Sequence, residues 1–370
     1  MQYDFIIIGS GIVGISTALS LRERASAATI LVLERGVLPS GASTKNAGFA
    51  CIGSLTELLD DLAHLPEEEV LQLVSMRLRG LQRLRDRAGD QSLGYETAGS
   101  YELIREEEVA ALDHLEEINA LLRPLLKGDA FRLADARLDD FQFNKKYVRH
   151  CLENCFEGSL DSGKMMRTLL KLAAAEGIDI RTGAEVLRWE EESDSIKVFV
   201  KDTCSADAIA FSAGKLLVCN NAFAATLLPG IDLKPGRGQV ILTEPVASLP
   251  FKGIFHYDRG YYYFRELDGR VLLGGGRQRD VSGEETWKME LSATIQQDLE
   301  DQLQRIILPG RHIEIGQRWS GIMAFGPDKR PVIAKYSDRL YVGVRMGGMG
   351  IAIGSEVGAQ LAALAFAQNE

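Results

Sequence analysis

Three glycines near the N-terminus have the spacing of a phosphate-binding turn. Gly9, Gly11 and Gly14 form the pattern G-x-G-x-x-G. The first glycine allows a tight turn, the second lets the backbone approach a pyrophosphate, and the third lets a following helix pack closely. The N-terminus of that helix, to which Val13 belongs, would present free N–H groups and a partial positive charge to phosphate oxygens. The spacing therefore predicts a dinucleotide site.

The elements needed to position this turn are present on both sides of it. Residues 5–8 are apolar and β-branched, as in a buried parallel strand, and residues 15–24 are predicted to form the following helix. A second predicted strand, residues 30–33, ends at Glu34, about 20 residues beyond the third glycine, where a carboxylate can hold the ribose hydroxyls of an adenosine. We assign Glu34 and Arg35 to the cofactor site. A purely structural turn is the alternative, and the motif alone does not choose between NAD and FAD.

The segment after the second strand favours FAD. Residues 41–49 are small, hydroxylated or glycine, and would supply N–H groups and short polar side chains along an extended FAD. Ser43 or Gly48 taken singly would fit an ordinary loop, whereas the set favours a flavin. Lys45 lies in the same segment, either as a positive charge that aids oxygen reduction or as a solvent-facing lysine. The residues assigned to FAD here are Ala42, Ser43, Thr44, Asn46, Ala47 and Gly48.

These residues resemble the superfamily of FAD enzymes that contains glycine oxidase, D-amino-acid oxidase and sarcosine oxidase. Four further segments carry the resemblance: residues 235–240, the tyrosine-bearing stretch 261–275, residues 319–321, and the run 346–354. The resemblance implies an α/β fold in which a Rossmann-like FAD-binding domain is interleaved with a β-rich substrate-binding cap domain. We expect residues 1–50, 160–232 and 318–370 in the first domain, and residues 51–159 and 233–317 in the second.

The resemblance also implies cofactor contacts far from the first turn. The last helix, expected at residues 355–367, would point its positive N-terminus at the flavin pyrimidine and stabilise the charge of reduced flavin. Members with covalent flavin use a cysteine near position 323 or a histidine near Lys45, and this sequence has neither, so we expect non-covalent FAD. The cofactor residues implied in this way are Val186, Asn221, Gly321, Gly348, Met349, Gly350 and Ile351.

The substrate side departs from the family pattern. Met323 stands where glycine oxidase-like members have the arginine that grips a substrate carboxylate. Arg345 and Arg277 are candidate replacements, because a guanidinium binds a carboxylate with two hydrogen bonds; each taken alone is better explained as a surface or structural arginine. Tyr261 matches the family's substrate-facing tyrosine, with a hairpin aromatic as the alternative, and Arg259 precedes it where glycine oxidase has a histidine.

Composition and charge limit the partners. The 370 residues carry a net charge of −10, which argues against nucleic acid as a partner. Five arginines between residues 77 and 87 are interpreted as the solvated face of a helix over residues 66–88. The five cysteines have no metal-site spacing, so no metal is expected and free thiols are. Without a predicted leader or membrane span we expect a cytoplasmic protein with no integral membrane segment, and leave a homo-oligomer open.

The predicted activity is FAD-dependent oxidation of a small amine or amino-acid-like substrate from CH–NH to the imine, by hydride transfer to flavin. Three alternatives stay open. One is an FAD-dependent 2-hydroxyacid or polyol dehydrogenase, another a flavoprotein that modifies the side chain of a tRNA base, and the third a flavin subunit that passes electrons to a partner.

Overall fold

A computed structural model describes residues 2–367 and contains 18 strands. In chain order they are β1 (Gln2–Ile8), β2 (Ile30–Leu33), β3 (Phe49–Ala50), β4 (Ser100–Ile104), β5 (Phe131–Leu133), β6 (His150–Asn154), β7 (Gly158–Ser159), β8 (Asp179–Arg181), β9 (Val186–Glu191), β10 (Ile196–Lys201), β11 (Ala208–Val218), β12 (Lys234–Thr243), β13 (Ile254–Tyr257), β14 (Tyr262–Leu267), β15 (Arg270–Gly275), β16 (Ile315–Phe325), β17 (Val332–Lys335) and β18 (Leu340–Val344).

The helices lie between and around these strands. They are α1 (Ile12–Arg24), α2 (Ala42–Lys45), α3 (Leu55–His64), α4 (Glu67–Ala88), α5 (Asp90–Leu93), α6 (Leu115–Leu126), α7 (Arg137–Phe141), α8 (Ser162–Ala175), α9 (Val281–Glu284), α10 (Ala293–Gln302) and α11 (Gly350–Phe366). Short 3₁₀ turns cover Glu106–His114, Asn221–Thr226 and Arg277–Arg279, and a π turn covers Leu303–Ile307. No helix in residues 2–367 is both long and apolar enough to cross a membrane.

The first sheet carries the predicted dinucleotide fold. Its parallel strands run in the order β18, β11, β1, β2 and β8, with β17 antiparallel at one edge and the β9–β10 pair extending from β11. Helices α1 and α11 pack closely together on one face, where Ser16 Oγ and Ser355 Oγ are 3.1 Å apart. A Cβ on Gly358 would lie 2.7 Å from Ser16 Cβ, so this close approach of the two helices requires a glycine. The mixed α/β architecture confirms the predicted fold class.

The second sheet runs in the order β16, β12, β15, β14, β13, β4, β6 and β5, and is antiparallel except where β13 meets β4. One face packs on α7 and α10 through an aromatic core that contains Phe255 and Phe264. The opposite face carries Val240, Leu272 and the ring of Tyr263, which pack with Ala47 of the first domain. This opposite face is therefore the one turned toward the predicted flavin site; we call it the inner face.

Two stretches whose apolar spacing predicts single helices differ from the structure. For residues 106–122 the structure has a 3₁₀ turn followed by α6, and the apolar residues of that turn are only partly buried. For residues 287–308 the helix begins only at Ala293. The stretch before it is held as a loop by β12, because Ser292 N donates to Gln239 Oε1 (3.0 Å). The expected domain boundary at 318 falls within β16, which belongs to the second sheet.

The arginine-rich face of α4 is not uniformly solvated, which corrects the expectation. Arg77 is 1% exposed, donates to Ile52 O at 2.6 Å, and lies 3.8 Å from Asp61 Oδ2. Arg79 and Arg83 both pair with Glu356 of α11. Arg87 pairs with Glu23 of α1 and Arg85 with Asp90 of α5, so all five arginines link α4 to neighbouring helices or loops. Of the five free thiols, Cys51, Cys151 and Cys219 are buried and the other two are exposed.

Candidate functional site

The glycine turn between β1 and α1 is built for close approach. Gly9 has a φ of +102°, which favours glycine, and a Cβ there would lie 3.0 Å from Cys219 O. A Cβ on Gly14 would lie 1.8 Å from Gly9 O, so only glycine lets α1 start against the turn. Gly11 is the N-cap of α1 and offers no side chain to its amides. The first amide of α1, Ile12 N, already donates to Ser43 Oγ, so the amides left available to an anion at this end of the helix include that of Val13.

Hydrogen bonds from neighbouring residues fix the position of the Glu34 carboxylate. It is 8% exposed, and its Oε2 accepts from Ser10 N (3.1 Å) and Ser10 Oγ (2.8 Å). Its Oε1 accepts from Gly36 N at 2.9 Å. Arg35 stacks on the ring of Phe223, with the guanidinium carbon 3.6 Å from the ring centre. Ala184 N donates to Glu34 O (2.8 Å), and Val186 begins β9 two residues later. Val186, predicted to contact the cofactor, therefore lies near Glu34 and Arg35.

The 41–48 segment divides into residues that face the turn and residues that hold the loop. Ser43 Oγ accepts from Ile12 N (3.0 Å), directly at the start of α1. Thr44 Oγ1 donates to Pro39 O (3.2 Å), back into its own loop. Asn46 donates to the carbonyls of Ala42 and Ser43 and accepts from Gly48 N. The structure brings Ser43 to the cradle, whereas Thr44 and Asn46 shape the loop around it.

The start of α11 lies beside the inner face. Gly347 and Gly348 both have positive φ, and Met349 N closes the turn on Met346 O at 2.9 Å before Gly350 and Ile351 begin the helix. A Cβ on Gly348 would lie 4.0 Å from Met323 Sδ. The turn before α11 therefore lies next to β16; the flavin contact at this helix stays a prediction.

The same space is bordered by Gly321 and by the segment that follows β2. A Cβ on Gly321 would lie 2.9 Å from Lys45 Cβ. Lys45 O accepts from Trp319 Nε1 (2.9 Å), which ties the loop to β16. Asn221 accepts from Arg345 N (3.0 Å) at the end of β11.

The residues present fit an FAD. Glycine-lined backbone at Gly9 and Gly11, a pre-positioned carboxylate at Glu34 and the amide end of α11 match phosphate, ribose and flavin, respectively. Asn220 Oδ1, next to the first turn, is buried without a hydrogen-bond partner in the described chain. An unpartnered buried acceptor is costly, and a bound ligand donor would remove that cost.

The inner face provides a floor of glycines. Gly236 and Gly238 of β12 lie opposite Met323 and Gly321 of β16. A Cβ on Gly238 would meet Met323 Cε at 2.8 Å. A Cβ on Gly236 would meet the Phe325 ring at 2.3 Å, so only glycine lets that ring cover the strand.

Aromatic side chains cover the neighbouring strands of the inner face. The ring of Tyr263 lies over Gly274, and burial raises its pKa to about 12, so the phenol stays protonated. Tyr261, in the turn just before β14, is 38% exposed. The surface near the start of α11 is therefore aromatic and apolar.

Arg345 does not lie free in this space. It is 7% exposed and has a φ of +69°. Its guanidinium pairs with Asp232 (3.1 Å) and Asp328 (3.3 Å), and its Nε donates to Arg330 O (3.0 Å). These contacts occupy its donors, so Arg345 is a structural residue and not a free anion clamp, which corrects the expectation.

The other two arginines differ from each other. Arg259 is half exposed, 3.6 Å from Asp60 Oδ1, and its guanidinium carbon lies 5.8 Å from the centre of the Tyr261 ring, at the outer rim. Arg277 is partly buried and stacks on Phe325 at 4.1 Å. No carboxylate or carbonyl within residues 2–367 accepts a hydrogen bond from it.

Sequence reasoning missed three contributors. Ser10 lies inside the glycine motif and orients Glu34. Phe223 supports Arg35, and Phe325 supports Arg277. Only for Phe325 was a signal available, because it follows Gly321 and Met323 at alternate positions of a strand and must share their face.

Comparison with known proteins agrees with this arrangement. The model of the DAO family, described as FAD dependent oxidoreductase, matches residues 4–364. L-2-hydroxyglutarate dehydrogenase of Escherichia coli (strain K12) is 23% identical over 340 residues, covering 82% of this chain and 72% of the relative.

Two solved structures share the fold over nearly their whole length. L-proline dehydrogenase from P. horikoshii superposes with a TM-score of 0.77 at 18% identity, covering 99% of this chain and 93% of that one. Glycine oxidase from Geobacillus kaustophilus gives 0.77 at 21% identity, covering 98% and 95%. With the family model matching nearly from end to end, this chain belongs to the DAO family of FAD-dependent oxidoreductases and is an FAD-binding flavoprotein.

Proposed function

We propose that this chain oxidises a small amine or amino-acid-like substrate at a CH–NH group, giving an imine that water hydrolyses. Bound FAD accepts the hydride, which is chemistry that the cofactor supplies. The protein's part is to hold the C–H bond against the flavin and to keep the amine nitrogen neutral. Met323 and Phe325 already cover Gly238 and Gly236, so the inner face next to the start of α11 leaves room for a small substrate only.

One observation carries the choice of an amine over an alcohol. An alcohol must lose its O–H proton as the hydride leaves, whereas the lone pair of a neutral amine makes no such demand on a base. One carboxylate next to the 258–261 turn is Glu57, 3.6 Å from a Cβ placed on Gly260. Lys329 and Arg77 lower the pKa of Glu57 to about 2 against the effect of its burial, so it is a weak base. Glu57 is therefore unsuited to take the proton of an alcohol, which favours an amine.

A second candidate is the oxidation of a 2-hydroxyacid. His256 pairs with Tyr263 across β13 and β14, so it lies on the inner face, and it is next to Glu102 of β4 in register. An imidazole beside a carboxylate is a common general base. The name of the E. coli relative also supports this candidate. His256 is only 6% exposed, however, which separates it from an open pocket and places this candidate second.

The test is anaerobic reduction of the enzyme-bound flavin. Glycine, sarcosine, L-proline and D-alanine form one panel, and lactate, 2-hydroxyglutarate and glycerol form the other. We expect one or more amines to bleach the flavin absorbance and the hydroxy compounds to leave it unchanged. Bleaching by hydroxyacids alone would overturn the proposal. If no compound bleaches the flavin, the tRNA-modifying and electron-transfer alternatives would be favoured.

A His256→Gln variant separates the two candidates further. Removal of a general base lowers the rate by about 10²- to 10⁴-fold. If the substrate is an amine, we expect the rate of flavin reduction to change by only a few-fold. A loss of about 10²-fold or more with a hydroxyacid would assign the base role to His256.

A further inference from the structure

We propose that Arg277 binds the carboxylate of the substrate, from the opposite side of the glycine floor to Met323, so that the substrates are small compounds bearing a carboxylate. The proposal rests on the proposed function for the group that is oxidised, whereas the binding of a carboxylate by Arg277 does not depend on it.

Position is the first argument. Nη1 of Arg277 lies 3.4 Å from a Cβ placed on Gly236, on the inner face of β12. Gly236 is paired with Met323 across β12 and β16, and Met323 contacts the turn at Gly348. The guanidinium and the thioether therefore flank one short strand segment next to the start of α11.

The second argument is the state of the guanidinium. The other guanidinium groups nearby are occupied: Arg265 on this face donates to Leu160 O at 2.9 Å, and Arg237 on the opposite face of β12 pairs with buried Glu284 at 2.6 Å. Arg277 has only the face of Phe325 as a partner within residues 2–367. Stacking leaves its N–H edge free, and that edge matches the two oxygens of a carboxylate.

The electrostatic surroundings agree with this geometry. Burial lowers the pKa of Arg277, and Tyr261 acts in the opposite direction. Glu284 and Glu285 also act on Arg277 but are paired with Arg237 and Lys234. A partly buried cation without a counter-ion is unfavourable, and a bound carboxylate would neutralise it.

Equilibrium binding of non-reacting ligands tests the proposal. Propionate and its uncharged counterpart propionamide are titrated into the FAD-loaded enzyme, and the perturbation of the flavin spectrum is followed together with the melting temperature. We expect propionate to bind the wild type and Arg277→Met to bind it about 10- to 100-fold more weakly. Propionamide should bind the two proteins equally.

A matched variant controls for general charge effects. Arg279 lies in the same 3₁₀ turn but pairs with Asp298 at 3.1 Å, on the far side of the sheet. Arg279→Met should keep the propionate affinity of the wild type within about two-fold. Arg277→Lys, which retains the charge but not the paired donors, should be intermediate.

The results separate this proposal from the function. Equal propionate affinity in wild type and Arg277→Met, or no propionate binding to the wild type, would overturn the role of Arg277. Propionate binding that depends on Arg277, with no amine able to reduce the flavin, would support the clamp while contradicting amine oxidation. If Arg277→Met does not fold, Arg277→Lys carries the same comparison.

Discussion

At the scale of single residues, two glycines that cap helix N-termini differ in how much space surrounds them. Gly11 and Gly41 both precede a helix in extended backbone. A Cβ on Gly11 would lie 2.9 Å from Ser43 Oγ, inside the predicted pyrophosphate cradle, whereas nothing lies within 4 Å of a Cβ on Gly41. The same residue type is thus crowded at one site and unconstrained at the other.

We predict that Gly11→Val abolishes FAD binding, because the side chain would occupy the space of the pyrophosphate and displace Ser43. Gly41→Val should retain the cofactor, since its backbone conformation and surroundings accept a side chain. The measurement is equilibrium titration of each apoprotein with FAD. Full retention of FAD by Gly11→Val would mean that the glycine pattern is a structural turn only.

Met323 provides a second prediction at this scale. In the Arg277→Met background, Met323→Arg would place a guanidinium on the other side of the Gly236–Gly238 segment. We expect the double variant to regain propionate affinity relative to Arg277→Met alone, because one charge again faces the glycine floor. Spectral titration measures the difference. Without any recovery, the carboxylate would have to bind away from this pair of strands.

At the scale of elements, a buried ion network joins α3, α4 and the loop before β17. Lys329 Nζ lies 3.0 Å from Glu57 Oε1 and 2.6 Å from Asp61 Oδ1, and Arg77 lies within 4.0 Å of both carboxylates. The two acids respond differently. Lys329 and Arg77 outweigh burial for Glu57 and lower its pKa, whereas burial dominates for Asp61 and raises its pKa. Asp61 Oδ2 accepts no hydrogen bond and has only the ion pair with Arg77 at 3.8 Å, which agrees with this contrast.

We predict that Glu57→Gln lowers the free energy of unfolding at pH 7 by about 2–4 kcal/mol, because it leaves buried cations without a partner. Asp61→Asn should cost less, since its carboxylate is poorly compensated. Urea unfolding at pH 7 measures both. A larger loss for Asp61→Asn would contradict the assignment of Glu57 as the main counter-ion.

The pH dependence follows from the direction of the Glu57 shift. The pKa of Glu57 falls from 4.5 to about 2 on folding, so its contribution to stability is present above pH 4.5 and is lost as the pH falls toward 2. The pKa of Asp61 is raised by burial, so its effect on stability has the opposite sign: protonation of Asp61 at low pH favours the folded state. Between pH 5 and pH 3, wild type should therefore lose more stability than Glu57→Gln.

At the scale of the whole molecule, the predicted FAD site joins segments from the beginning, middle and end of the chain. Gly9, Asn221 and Gly348 belong to three separate stretches that meet only when the first sheet is assembled. Bound FAD would contact all of them, so it should stabilise the native state by mass action.

We predict a yellow protein from which acid precipitation releases intact FAD into the supernatant. The two places where related enzymes attach flavin covalently hold Met323 and the neighbours of Lys45, none of them cysteine or histidine. Absorbance of supernatant and pellet gives the partition. Flavin retained in the pellet would show a covalent bond.

The sequence alone determined the features that depend on neighbours along the chain. The glycine turn, its flanking strands and Glu34 follow from local spacing, because a strand, a tight turn and a helix N-terminus are built from consecutive residues. The sequence also showed that Met323 replaces the arginine usual in the family, because that comparison needs only the residue type at one position.

Only the tertiary structure decided which arginines are free. Arg345 and Arg277 are alike as candidates in the sequence, but Arg345 meets Asp232 and Asp328, whereas Arg277 reaches Gly236 because β12 pairs with both β15 and β16. Arg77 belongs to a helix face whose burial depends on how α3 and α4 pack. Charges find their partners across long sequence separations, and those pairings are set by the order of strands in the sheet and by helix packing.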